Sequence, residues 1–446
     1  MPLTDQQIDK LNTHLASIVQ TPGKPLASLV TVAFSKDDIL YEGYFGHRYI
    51  DEKQPERSLT PNRHTKYRIA SISKLVATIG LLQLVEAGTL DLNQDISHYL
   101  DLSVRNPHHP NTPITARMLL SHTSSIRDGG EQYSLPLPYT IRDFFDPEGA
   151  YFQDGVHWAP APDPPATYFN YDNLNYGLIG TLIESVSGLR FDDYMVSQVL
   201  KPLGVEASYN VRLFSDDALQ NIAVLYRKQT TDGQWNAEGS WYPQVDHYQG
   251  VRPDNVVRVE NPDNETKPWH SHHPLDDYVM GSNGTLFSPQ GGLRISAFDL
   301  AKIGQLMLNE GQFGTVQLLQ PATIRDMLTP VWQFDPVSSN GDTYGGLMQS
   351  WGLGVQIITD TSRAGYGDRL IEQTPLKFVG HAGDAYGLLS GLWIDPEREM
   401  GLIYFIGGVS VEPYQYPGHY SSFSRWEEQI MTAIYKMVIQ KAIMNA

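Results

Sequence analysis

A serine and a lysine one helical turn apart, in Ser71-Ile72-Ser73-Lys74, form a pair that can do nucleophilic chemistry without a histidine. At the start of a helix both side chains lie on one face and near the positive end of the helix dipole. Burial and that dipole both disfavour an ammonium, which makes the Lys74 amine a candidate base and the Ser71 hydroxyl a candidate nucleophile. The plain alternative is a capping serine beside a surface lysine. Against it, Lys74 is the only charge between Arg68 and Glu86 in an otherwise apolar run, and a lone charge in a buried helix needs a reason. Further along, Tyr171-Asp172-Asn173 and His381-Ala382-Gly383 supply a phenol, an amide and an imidazole. Taken singly, each has a structural reading: a core tyrosine, the N-cap of a following helix, a satisfied histidine.

The elements that must position these residues are legible from periodicity. Residues 67–70 read as a short strand or turn, and 75–87 as a buried helix stopped by Gly88. Thr4 and Gln7 make a capping box for an amphipathic first helix, with Ile8, Leu11, Leu15, Ile18 and Val19 at helical spacing. Strands are expected over 28–34 and 39–45, joined by a turn at Lys36-Asp37-Asp38. Helices are expected over 174–186, 191–200, 298–308, 321–328 and 423–443, with a short capped one within 114–124. Strand signals return at 352–358, 378–381, 388–394 and 400–406. Residues 129–165 read as a loop and 207–274 as the least regular stretch, an insertion beside the site. Strands at both chain ends with helices between them predict one antiparallel sheet built from both ends, with a mostly helical second lobe and a site in the cleft.

Composition bounds the chemistry. The 446 residues are ordinary in hydrophobic and charged content and ample for a large core. With no cysteine, thiolate catalysis, disulfides and thiolate-bound metals are excluded. A formal charge of −18 argues against nucleic acid or an anionic membrane as partner. No apolar run is long enough to span a bilayer. The first residues show neither a basic nor an apolar signal region, so a cytoplasmic protein is expected unless the N-terminus was trimmed.

These motifs, in this order and at this wide spacing, resemble those of the serine β-lactamase and penicillin-binding-protein superfamily. Leu119-Leu120-Ser121-His122-Thr123-Ser124, Phe169-Asn170-Tyr171-Asp172-Asn173 and Gly291-Gly292-Leu293-Arg294-Ile295-Ser296 resemble its flanking motifs. The resemblance spans nearly the whole chain and is nearest to the class C β-lactamase-like hydrolases, including D-aminopeptidases, amidases and esterases. It implies an α+β β-lactamase-like fold in one catalytic domain, 1–446, with a sheet lobe of about 1–70 and 345–446. The helical lobe would be about 71–344, with an insertion at about 205–277. It implies an acyl-enzyme on Ser71, with Lys74 as base or as the holder of a Tyr171 phenolate, and Tyr171 as proton relay. Asn173, His381, Gly383 and Asp384 would bind substrate, Asn173 would also hold the Lys74 side chain, and the backbone amides of Ser71 and Asp384 would form the oxyanion hole. No cofactor is implied. His381 stands where β-lactamases and cell-wall peptidases carry lysine. A neutral histidine suits an ester, an amide or a peptide with a free amine better than a substrate carboxylate.

Rival readings are a β-lactamase or D-alanyl-D-alanine carboxypeptidase, and a non-catalytic binding member of the fold. Intact Ser71, Lys74 and Tyr171 count against the last. The insertion is expected to close over the cleft or to support a homo-oligomer. Trp269-His270-Ser271-His272-His273 with Asp276 and Asp277 invites a metal, but the resemblance requires none.

Overall fold

Unbroken apolar runs at 388–394 and 400–406 demand strands covered on both faces, and the chain supplies that cover from its two ends. The computed structural model describes residues 3–129, 132–248, 250–253 and 275–444. Eight antiparallel strands form its main sheet, in the order Ile39–Gly46, Ser28–Ser35, Met400–Ile406, Leu388–Asp395, Val379–Ala385, Gln356–Ile357, Ser350–Trp351 and Trp332–Gln333. Side chains alternate between faces. Val30, Val32, Phe34, Leu392, Ile394, Ile403 and Phe405 enter one core, with the helices Ile72–Glu86, Leu174–Ser187 and Ala297–Leu308. Leu29, Ala33, Trp393, Leu402, Tyr404 and Ile406 enter the other, with the terminal helices Asp5–Val19 and Arg425–Ile434. The fold is the α+β arrangement expected, with both chain ends in one sheet.

Local chemistry sets the helix ends. Thr4 and Gln7 form the expected capping box, and Ser424 with Glu427 forms a second at the start of the last helix. That helix continues through a wider turn, Tyr435–Ile439, to Gln440–Met444. The stretch 207–274 is less irregular than expected. It contains a helix, Asp216–Gln220, and a hairpin, Leu225–Gln229 with Ser240–Val245, whose first strand also pairs in parallel with Gly408–Val409. The hairpin escapes a pattern search because only one end of each strand is buried. Residues 269–273 of the histidine-rich stretch lie outside the described residues. Among the described residues, no helix is long and apolar enough to cross a membrane.

Candidate active site

Ser71, the candidate nucleophile, sits on a strained corner. Between the short strand Tyr67–Arg68 and the helix Ile72–Glu86, Ala70 adopts φ +49°, in the left-handed region that non-glycine residues seldom enter. Ser71 occupies the N-cap position and stays partly exposed, while Ser73 and Lys74 are fully buried. Three bonds pin the corner. The Ser390 hydroxyl donates to the Ile69 carbonyl at 3.1 Å, the Leu293 amide donates to the Ser73 hydroxyl at 3.1 Å, and the Tyr209 hydroxyl donates to the Ser73 carbonyl at 2.7 Å.

Lys74 Nζ lies 3.1 Å from Ser71 Oγ, 2.8 Å from Asn173 Oδ1 and 3.0 Å from the Gln290 carbonyl oxygen. Burial pushes its pKa down to about 7, against the pull of Asp128 and Asp172. A neutral amine carries two hydrogens and one lone pair. Asn173 Oδ1 and the Gln290 carbonyl only accept, so they take the hydrogens, and the lone pair is left for the Ser71 hydroxyl proton. Protonated, Lys74 has no lone pair to offer.

A pH dependence follows. Activity needs the neutral amine, so kcat/KM should rise about tenfold per pH unit below a limb near pH 7 and level off above it. Burial, reinforced by the charge of Lys74, lowers the pKa of His381 to about 3 and that of His122 well below its ordinary value, so neither titrates there. Glu427, pushed up to about 7 by burial, lines the same cleft. Ionisation of an amine is strongly endothermic and that of a carboxyl nearly athermal. Rate profiles at two temperatures should therefore show the limb moving to lower pH on warming; a stationary limb would assign it to Glu427 instead.

Tyr171 bears on what Lys74 can do. Lys74 stands 4.7 Å from the centroid of its ring, and the phenol oxygen is buried, facing the Ser71 hydroxyl. Burial raises its pKa well above the ordinary value, opposed by the Ser71 hydroxyl. Of the two roles expected for Lys74, this burial favours the base over the holder of a Tyr171 phenolate. The ring is fixed by its neighbours. His122 packs on it with centroids 4.5 Å apart, and Trp351 meets it edge-on at 5.6 Å. His122 Nδ1 accepts the Asp172 amide at 3.1 Å, and the Tyr171 amide donates to the Tyr344 hydroxyl at 3.0 Å.

Asn173 precedes the helix Leu174–Ser187, but its side chain does not cap that helix. Asp128 caps it from a separate loop. Its carboxylate accepts from the Asn173 and Leu174 amides at 2.8 and 2.7 Å, and from Asn173 Nδ2 at 2.8 Å. The Asn173 amide is thus engaged at both ends, by Asp128 and Lys74. It holds the Lys74 amine, as the resemblance implies.

His381 and Gly383 lie on the strand Val379–Ala385, in register with Leu392 and Ser390. A Cβ on Gly383 would lie 2.6 Å from the Ile69 carbonyl oxygen and 3.2 Å from the Ser71 nitrogen, so only glycine lets this strand press against the nucleophile's corner. His381 is buried, with Nδ1 2.5 Å from the Ala382 carbonyl oxygen. That oxygen only accepts, which puts the ring hydrogen on Nδ1 and leaves buried, unpartnered Nε2 as a bare acceptor. Asp384 exposes its carboxylate to the cleft. The low-dielectric cleft wall raises its pKa, and the charge of Arg227 draws it back.

These groups line a cleft of about 390 Å³ that holds Ser71, Tyr171, His381 and Asp384 at one end and reaches Tyr414 and Glu427. The structure brings together all seven residues singled out in the sequence. Gln290, Trp351 and Tyr344 had no signal of their own: one acts through its carbonyl, and the others are single aromatics in an aromatic-rich chain.

Residues 15–416 match the family model described as Beta-lactamase. Protein flp of Staphylococcus aureus (strain N315) is 31% identical over 208 residues, 45% of this chain and 37% of that protein. Penicillin-binding protein 4* of Bacillus subtilis (strain 168) is 27% identical over 225 residues, 48% of this chain and 45% of that protein. The chain spans less than half the length of these curated relatives. Among solved structures, the octameric penicillin-binding protein homologue from Pyrococcus abyssi aligns with a TM-score of 0.63 and 20% identity, over 97% of this chain and 77% of that one. The D-amino acid amidase from Ochrobactrum anthropi SV3, complexed with D-phenylalanine, aligns with a TM-score of 0.61 and 17% identity, over 98% and 100%. At these identities the structural likeness speaks for the fold.

Proposed function

The chain belongs to the Beta-lactamase family, and from that premise we propose that it is a serine hydrolase working through an acyl-enzyme on Ser71, on an ester, an amide or a D-amino-acid-containing peptide bond. The observation that carries this reading is the Lys74 amine, whose two acceptor-only partners leave its lone pair for Ser71. The Ser71 proton passes to Nζ as Oγ bonds to the carbonyl carbon. The backbone amides of Ser71 and Asp384 stabilise the oxyanion. As the scissile C–O or C–N bond breaks, the leaving group takes the proton from Lys74 by way of the Tyr171 phenol. Water then repeats the sequence and releases the acid. The division into a sheet lobe and a helical lobe, at the boundaries given above, belongs to the same reading.

Substrate choice turns on charge. A β-lactam or a D-Ala-D-Ala end presents a carboxylate, yet the neutral imidazole of His381 offers it no cation. Asp384 and Glu427 in the same cleft repel it further, and they suit a substrate with a free amine. Turnover of p-nitrophenyl butyrate, D-Ala-p-nitroanilide and nitrocefin tests both points. The ester should be hydrolysed, because a small activated ester needs little recognition, and nitrocefin should be a poor substrate. Rapid nitrocefin turnover would favour the β-lactamase alternative; no turnover of any ester or amide would favour a binding protein.

A further inference from the structure

The lone-pair argument depends on which way the Asn173 amide faces, and nothing in Asn173 itself decides that. An amide that rotates by half a turn exchanges its oxygen and nitrogen with little change of shape. Turned over, Asn173 would present Nδ2 hydrogens to Lys74. The neutral amine would then spend its lone pair on Asn173, and the Ser71 proton would have no acceptor.

We infer that Asp128 is the positioning residue that prevents this, by fixing the sense of the Asn173 amide and so aiming the Lys74 lone pair at Ser71. This inference rests on the reading of Ser71 and Lys74 as the acylating pair. The Asp128 carboxylate receives Asn173 Nδ2 at 2.8 Å on the same oxygen that takes the Asn173 backbone amide at 2.8 Å, while its other oxygen takes the Leu174 amide at 2.7 Å. A carboxylate has only acceptors to offer, so the nitrogen end of the amide must face it and the oxygen end must face Lys74, 2.8 Å away. The two backbone bonds make the aim rigid. They tie Asp128 to the first turn of the helix Leu174–Ser187, where unpaired amides and the dipole both favour an anion. Asp128 is itself held, because its own amide donates to Asp172 Oδ1 at 3.0 Å. One carboxylate therefore caps the helix, orients the amide and places a negative charge near the base.

The isosteric change Asp128→Asn separates these roles. The new side-chain amide offers both a donor and an acceptor, so it no longer dictates the sense of Asn173. For p-nitrophenyl butyrate, kcat/KM should then fall about 100-fold, as for a misaimed catalytic group. The acid limb should also move to lower pH, since Asp128 raises the Lys74 pKa. The other ionisable groups facing Lys74 are Asp172 (paired with Arg127), His122, His381, Tyr171 and Tyr176, and all are retained.

Loss of the Asp128 charge would move the limb even for a purely structural cap, so additivity separates the two: the loss of a structural cap would add to that of Asn173→Ala. Acting through Asn173 instead, Asp128→Asn should cost much less in an Asn173→Ala background than in the wild type. Asp128→Glu, which restores an acceptor-only group, should be more active per folded molecule than Asp128→Asn. Additive losses or the reverse order of the two Asp128 variants would overturn the inference. A wild type that hydrolyses no ester would instead overturn the reading on which it rests.

Discussion

Ser71→Ala is expected to lower kcat for any ester or amide by about 10⁴-fold or more, the range found when a serine hydrolase loses its nucleophile. The size of the loss follows from the geometry. Among the described residues, Lys74 Nζ bonds to Ser71, Asn173 and the Gln290 carbonyl, and Ser71 brings the one hydroxyl of the three. The nearby Tyr171 phenol is held above its ordinary pKa by burial and is a poor nucleophile. A fluorophosphonate probe should label the wild type at Ser71 and leave the variant unlabelled, with both proteins melting at similar temperatures. Labelling that survives in Ser71→Ala would move the nucleophile elsewhere and sink the assignment. Residual turnover above the uncatalysed rate is compatible with it, because an intact oxyanion site still stabilises attack by water.

Asp246→Asn should cost about 3–5 kcal/mol of stability, as when one member of a buried ion pair is removed. Asp246 and Arg294 are both sealed from solvent, with Oδ2 3.0 Å from Nε and Oδ1 2.7 Å from Nη2. Burial works against the Arg294 charge, but Asp246 and Tyr248 outweigh it and raise its pKa. Asparagine tolerates the positive φ of +62° at this position, so the loss reports on charge rather than on backbone strain. Denaturant midpoints at neutral pH measure it, and a shift worth under about 1 kcal/mol would show that the pair is not the anchor described. The damage should reach the site. Arg294 Nη1 donates to the Gly292 carbonyl at 2.8 Å, within the segment whose Gln290 carbonyl holds Lys74 and whose Gly291 carbonyl accepts from Arg68. Asp246 lies within residues 205–277, so that stretch buttresses Lys74 from behind.

The legible part of the molecule was the part written in period and punctuation. Thr4 and Gln7, the apolar runs at 388–394 and 400–406, and Gly188 after its helix each state a boundary through a local physical rule, and the structure follows them. The seven candidate site residues were legible because they sit in motifs whose order and spacing resemble those of a known family. What stayed hidden acts through contacts between distant segments. Asp128 is one aspartate among many until its loop meets the helix Leu174–Ser187, and the Gln290 carbonyl has no side-chain signature at all. The burial of Tyr171, which bears on the choice between the two roles expected for Lys74, stayed hidden for a related reason: it is set by His122, Trp351 and Tyr344, from three separate places in the chain.

The sheet that joins both chain ends has a bearing on how the protein is made. Ser71 is made about three hundred residues before the strand that presses on its corner, Val379–Ala385. Until then the helix Ile72–Glu86, apolar on all sides, has no sheet to cover it. Contacts of such long sequence separation fold slowly, and exposed apolar surface on a growing chain invites aggregation. A nascent or prematurely terminated chain should therefore be a client for chaperones, and it cannot acylate before its C-terminal strands arrive.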